Sequence, residues 1–154
     1  MVDLLSPTML ANFLLFESRE RGEVLTNLKL QKLIYYAQAW HMALKDKPLF
    51  GEDFEAWIHG PVLPSQFQRF KTYQWRPITE EVVDGAVSDD ALNSFLAEII
   101  DVFGSETAVA LELMTHRETP WLQARGGIAP HLASNNKIEK AVMRDFYRAL
   151  GANK

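Results

Sequence analysis

Residues 26–44 constrain this chain more than any other stretch. They read Thr26, then Asn27 to Leu44 with little polar surface. Leu30, Leu33, Ile34, Ala37, Trp40, His41 and Leu44 recur at i, i+3, i+4, i+7 and form one helical face. Tyr35, Tyr36, Ala39, Met42 and Ala43 make the flanks apolar as well. A helix that is apolar around most of its circumference has nowhere stable to lie except inside a domain. Thr26 is the expected N-cap, its hydroxyl accepting from a free first-turn amide. Leu25 and Leu30 hold the positions of a hydrophobic staple.

The other segments are expected to wrap this helix. Phe54, Ala56 and Ile58 alternate with Glu55, Trp57 and His59, the pattern of a short strand. Gly60-Pro61 is expected to end that strand, and Pro64 to open a helix running to Tyr73. Upstream, Ser6-Pro7 marks the start of a helix reaching Arg21, where Gly22 stops it. Pro77 to Thr79 can be extended, and 80–90 is acidic, aperiodic and loop-like. Ser88 is the expected cap of an amphipathic helix carrying Leu92, Phe95, Leu96, Ile99, Ile100 and Phe103, closed by Gly104. Ser105 is the expected cap of the next, which ends near Thr115-His116. Thr119-Pro120 opens a short helix to Arg125, closed by Gly126-Gly127. After a loop to Asn136, with Ser134 or Asn135 as cap, a last helix carries Ile138, Ala141, Val142, Phe146, Ala149 and Leu150. The fold expected is mainly α: a compact single domain, 1–154, of six or seven helices around a buried central helix, with a small β-hairpin-like element.

Composition narrows the function. The 154 residues are 47% hydrophobic with a net charge of −4, and Lys29, Lys32, Lys45 and Lys47 do not make the concentrated basic face that phosphate binding needs. Nucleic acid is therefore not an expected partner. No cysteine is present, which removes disulfides and thiolate zinc sites. The N-terminus lacks a signal-peptide pattern, and no apolar run approaches the roughly 20 residues that cross a bilayer. A cytoplasmic protein without a membrane partner is expected.

Glu55, His59, His116 and Glu118 are the side chains suited to acid–base work. No nucleophile motif and no phosphate-cradling glycine loop accompanies them. His59 and His116 with Glu55 or Glu118 have the composition of a metal site. A small hydrolase or metal-dependent enzyme using His59, His116 and Glu55 is thus the rival to a binding protein. The structural alternative bonds His59 to loop backbone and sets His116 as a charge at a helix C-terminus. Gln31 and Gln38, inside the buried helix, need partners; either they tie down the loop around Gly60-Pro61, the reading favoured for Gln31, or they form a polar spot on a binding surface, and for Gln38 both readings stand. Glu55 and Arg125 are candidates for a bidentate bridge between distant segments. Trp57 and Trp121 have the size of interface anchors or of core fillers.

These same residues resemble a known family. Leu25-Thr26, Leu28 to Gln38 and Trp40 are similar to the opening of the Panacea domain, whose members include SocA-like antitoxins and GepA-like phage-associated proteins. The similarity continues through Lys47-Pro48-Leu49-Phe50, Glu55-Ala56-Trp57, His59-Gly60-Pro61-Val62 and Pro64. It closes with Thr115-His116, Glu118, Pro120-Trp121, Ala124-Arg125 and the last helix. The resemblance implies a helical antitoxin that neutralises a cognate toxin by protein contact. Delivery of the toxin to the ClpXP protease is a second mode that it implies. It carries no catalytic residue, cofactor or metal. The motif residues it places, as structural or partner-binding groups, are Lys29, Gln31, Lys32, Tyr35, Glu55, Trp57, His59, Gly60, Pro61, His116, Trp121 and Arg125. Some members add a DNA-binding helix-turn-helix segment; this sequence shows none, so operon autoregulation is not expected of it.

Overall fold

The computed structural model describes residues 3–83, 87 and 89–152. These form seven α-helices and one antiparallel hairpin: α1 (Pro7–Glu20), α2 (Asn27–Lys45), β1 (Glu55–Trp57), β2 (Gly60–Val62), α3 (Pro64–Arg69), α4 (Asp90–Phe103), α5 (Ala108–His116), α6 (Thr119–Arg125) and α7 (Lys140–Ala152). The mainly helical architecture matches the expectation. Helix α2 is its axis. Fifteen of its nineteen residues are buried, and α1, α3, α4, α5, α7 and β2 all pack on it. Thr26 caps it, accepting from the Lys29 amide, and the staple residues Leu25 and Leu30 are both buried. Leu44 departs from the expected buried face. It lies in the last turn, beside a hollow that α4 and the end of α7 leave open, and is 62% exposed.

Ser6 and Pro7 start α1 as the sequence signals. Four other caps differ. Asp89 caps α4, its carboxylate accepting from the Leu92 amide, while Ser88 lies outside the described residues. Thr107, not Ser105, caps α5, because the chain first makes another turn in which the Glu106 amide donates to Phe103. Glu118, not Thr119, is the N-cap of α6, and its side chain turns inward instead of capping. The last helix starts at Lys140, beyond Ser134 and Asn135. Residues 136–138 are held extended against β1 by Ala56 N–H to Asn136 O and Ile138 N–H to Phe54 O, which delays helix entry. Helix α3 is shorter than expected and passes into a 3-10 turn, Lys71–Tyr73.

The hairpin corrects the expected role of Gly60-Pro61. These residues do not end a strand; they begin β2, paired as Trp57↔Gly60, Ala56↔Pro61 and Glu55↔Val62. Proline is tolerated there for a geometric reason. Ala56 turns its N–H to Asn136 and its carbonyl to Arg125, so the Ala56–Pro61 pair exchanges no ladder bond, and the missing proline N–H costs nothing.

Candidate functional site

The central helix places its polar side chains where irregular backbone passes. A buried donor or acceptor without a partner costs about 1–3 kcal/mol, so each such residue in an apolar helix must find one. Lys32 Nζ donates to the Pro61 carbonyl at 3.2 Å. Gln31 accepts from the Leu63 amide at 2.9 Å and donates to Asn27. Lys29 Nζ donates to the Gly104 carbonyl at 2.6 Å, placing a cation at the negative end of α4. Gln38 clamps residues 49–50, accepting from Leu49 N–H and donating to Phe50 O. The Gln31 contact falls at the end of the hairpin corner, as expected; the Gln38 contact falls on a different loop.

Three residues of α5 and α6 complete the enclosure of the hairpin. Arg125, 2% exposed, donates to the carbonyls of Ala56, Ala129 and Leu132. Its guanidinium also lies over the Trp121 ring at 4.8 Å. Trp121 Nε1 donates to the Trp57 carbonyl at 2.8 Å. The His116 ring stacks on Trp121, with centroids 4.2 Å apart. Lys32, Gln31, Arg125 and Trp121 therefore hold backbone groups along one hairpin, and His116 backs the Trp121 ring.

Two expected pairings are absent. Glu55 does not bridge to Arg125: its carboxylate accepts from Trp57 Nε1 at 2.8 Å, and Arg125 spends its donors on carbonyls. His59 is not tied to loop backbone either; its Nδ1 meets Glu112 Oε1 at 3.0 Å on the surface. His59, His116 and Glu55 thus face three different partners. Among the described residues, no group of three His, Asp or Glu side chains is placed to hold a metal ion. Burial lowers the His116 pKa from its usual value, against the pull of Glu112. That favours a neutral ring over the helix-end cation expected.

The buried ionisable groups have structural partners. Burial drags the Lys32 pKa down to about 7, with Glu112 opposing. Glu118 accepts from Tyr36 at 2.7 Å and Tyr147 at 2.8 Å, and Tyr147 also bonds Tyr35 at 3.1 Å. Burial raises the Glu118 pKa, and these hydroxyls oppose the rise. This knot ties α2 and α7 to the entry of α6. The sequence reading named Tyr35 and Glu118 but missed Tyr147, whose place on the apolar side of α7 was the available signal. It missed Glu112 as well, although Glu112 and His116 stand four residues apart on one helix.

Beside the hairpin opens a groove of about 600 Å³. Trp57, Phe67, Ile58, Leu28 and Val62 give it apolar walls, and His59 and Asn135 stand at its edge. Trp57 and Phe67 meet edge to face at 4.8 Å. Of the motif residues, Trp57 and His59 line the groove, while Lys29, Gln31, Lys32, Tyr35, Gly60, Pro61, Trp121 and Arg125 are buried behind it or elsewhere in the core. The arrangement offers an aromatic recess on a buried, hydrogen-bonded frame and, among the described residues, no convergent acid–base set.

Among the described residues no helix is long and apolar enough to cross a membrane. No solved structure matches this chain. The chain is similar to a curated protein named Antitoxin SocA, from Caulobacter vibrioides (strain NA1000 / CB15N). The two are 29% identical over 150 residues, spanning 90% of this chain and 80% of that protein. The family model "Antitoxin SocA-like, Panacea domain" matches residues 30–122, from the second turn of α2 into α6. By that match, which takes in more than half of its length, the chain belongs to the SocA-like antitoxin family, whose Panacea domain it carries.

Proposed function

We propose that this protein is an antitoxin that neutralises a cognate toxin by direct protein contact, in the cytoplasm, and performs no chemistry of its own. The observation that carries the reading is the match to the antitoxin Panacea model across the hairpin, most of α2 and the Trp57, His59 and Phe67 wall of the groove. The geometry is in keeping with it. Lys29, Gln31, Lys32, Tyr35, Gly60, Pro61, His116, Trp121 and Arg125 serve the frame, and Glu55 orients the Trp57 ring. Trp57 and His59 face the partner across the groove. A large ring seated in an apolar recess is the kind of residue that dominates binding energy. One Panacea-like domain filling 1–154 is sufficient for this role.

The test is co-expression with the product of the neighbouring reading frame. That product alone should arrest growth; with this protein present, growth should recover and the two should copurify. Trp57→Ala should weaken the complex by about 30-fold, the effect of losing about 2 kcal/mol at a hot spot. A neighbouring product that is harmless alone would remove the basis of the reading. Toxin half-life with and without ClpXP then separates delivery for degradation from occlusion: only delivery shortens it.

A further inference from the structure

Charge is unevenly shared along this chain. Residues 77–116 hold nine of its twenty carboxylates and none of its sixteen Lys and Arg side chains, so the remainder carries +5. Helix α4 concentrates this. Asp90, Ser94, Glu98 and Asp101 follow one another at i, i+4, i+8 and i+11 on its exposed side. Asp101 is engaged by Arg21 at 3.2 Å, and Glu98 makes no ion pair among the described residues.

The same side of α4 carries uncovered apolar surface. Between the end of α2, α4 and the end of α7 lies a hollow of about 270 Å³, lined by Leu44, Phe95, Val102 and Glu98 among others. Leu44 is 62% exposed and Val102 54%. Isolated exposed aliphatics are ordinary; an apolar hollow with one carboxylate, Glu98, on its wall and further acids in the same helical row has the apolar centre and polar rim of an interface. Lys45 lines a separate hollow beyond Phe95. Arg148 is turned away to Asp46 and the Ala43 carbonyl.

We infer that this face docks a basic, amphipathic segment of the toxin, with one apolar side chain in the hollow and Lys or Arg side chains over Glu98 and Asp90. This rests on the toxin-binding reading and adds the chemistry of the partner. The hollow, at Leu44, and the hairpin groove, at Leu28, lie at opposite ends and on opposite sides of α2, about 24 Å apart along its axis by the rise of sixteen residues.

Glu98→Lys with Asp90→Lys reverses the charge of this face. Glu20→Lys with Glu52→Lys makes the same change in net charge at exposed acids elsewhere. Association with the neighbouring-frame product is measured from low to high salt, with melting temperature as the check on folding. The face pair should slow association about tenfold at low salt, with the difference closing at high salt. The control pair should change it less than twofold. Val102→Asp, at an exposed site, should speed dissociation about tenfold. If wild type binds and both pairs behave alike, or Val102→Asp leaves dissociation unchanged, the inference is overturned while the toxin-binding reading stands. If wild type does not bind, both fall.

Discussion

Gly60 combines a left-handed backbone with a crowded Cβ position, and Gly60→Ala is the sharpest test of the hairpin corner. The residue sits at φ +104°, outside the range that L side chains adopt readily. A Cβ there would lie 2.6 Å from Lys32 Cε and 2.8 Å from Thr115 Oγ1. The lysine end cannot swing aside freely, because it is fully buried and its amine holds the Pro61 carbonyl. The backbone alone costs about 1–3 kcal/mol. Overpacking adds about 1–3 kcal/mol, so a loss of roughly 4 kcal/mol is expected. At about 2–4 °C per kcal/mol for a domain of this size, the melting temperature should fall by about 8–16 °C. Gly60→Val should fall further. Gly51→Ala is the control, since its Cβ would meet nothing closer than Asp3 Oδ1 at 3.9 Å. Thermal melts followed by far-ultraviolet circular dichroism read all three. A Gly60→Ala protein melting within about 2 °C of the parent would show that the corner is not the constraint inferred from its geometry.

Lys32 and Glu118 give two more measurements. With the Lys32 pKa at about 7 folded against 10.5 unfolded, the unfolded chain binds more protons between those values. Stability should therefore rise with pH, by about 2 kcal/mol from pH 7 to pH 9. Urea unfolding at the two pH values should show this slope in the parent and lose it in Lys32→Met. Glu118→Leu strands the Tyr36 hydroxyl and leaves that of Tyr147 with Tyr35 alone. It should cost about 2–4 kcal/mol in urea unfolding, whereas Glu118→Gln, which keeps an acceptor, should cost far less.

The sequence by itself determined the axis of this protein. An apolar circumference over 27–44 admits only burial, and α2 is buried. Ser6-Pro7, Thr26, Pro64, Gly104 and Gly126 set helix ends because they act through neighbours a few residues away. Local chemistry ranked several possible caps wrongly where a distant segment intervened. Residues 136–138 pair with β1 and postpone α7, and Glu118 turns to two tyrosines instead of its own helix. The polar residues of α2 announced that they needed partners but not which ones. Only the tertiary structure decided that Lys32 meets Pro61, Gln38 meets Leu49 and Phe50, and Arg125 meets three carbonyls in place of Glu55. The physical reason is range. Helix periodicity and capping are read along the chain, whereas a buried hydrogen bond joins whichever groups packing leaves without water. The distance from Lys32 to Pro61 in sequence carries no trace of that choice.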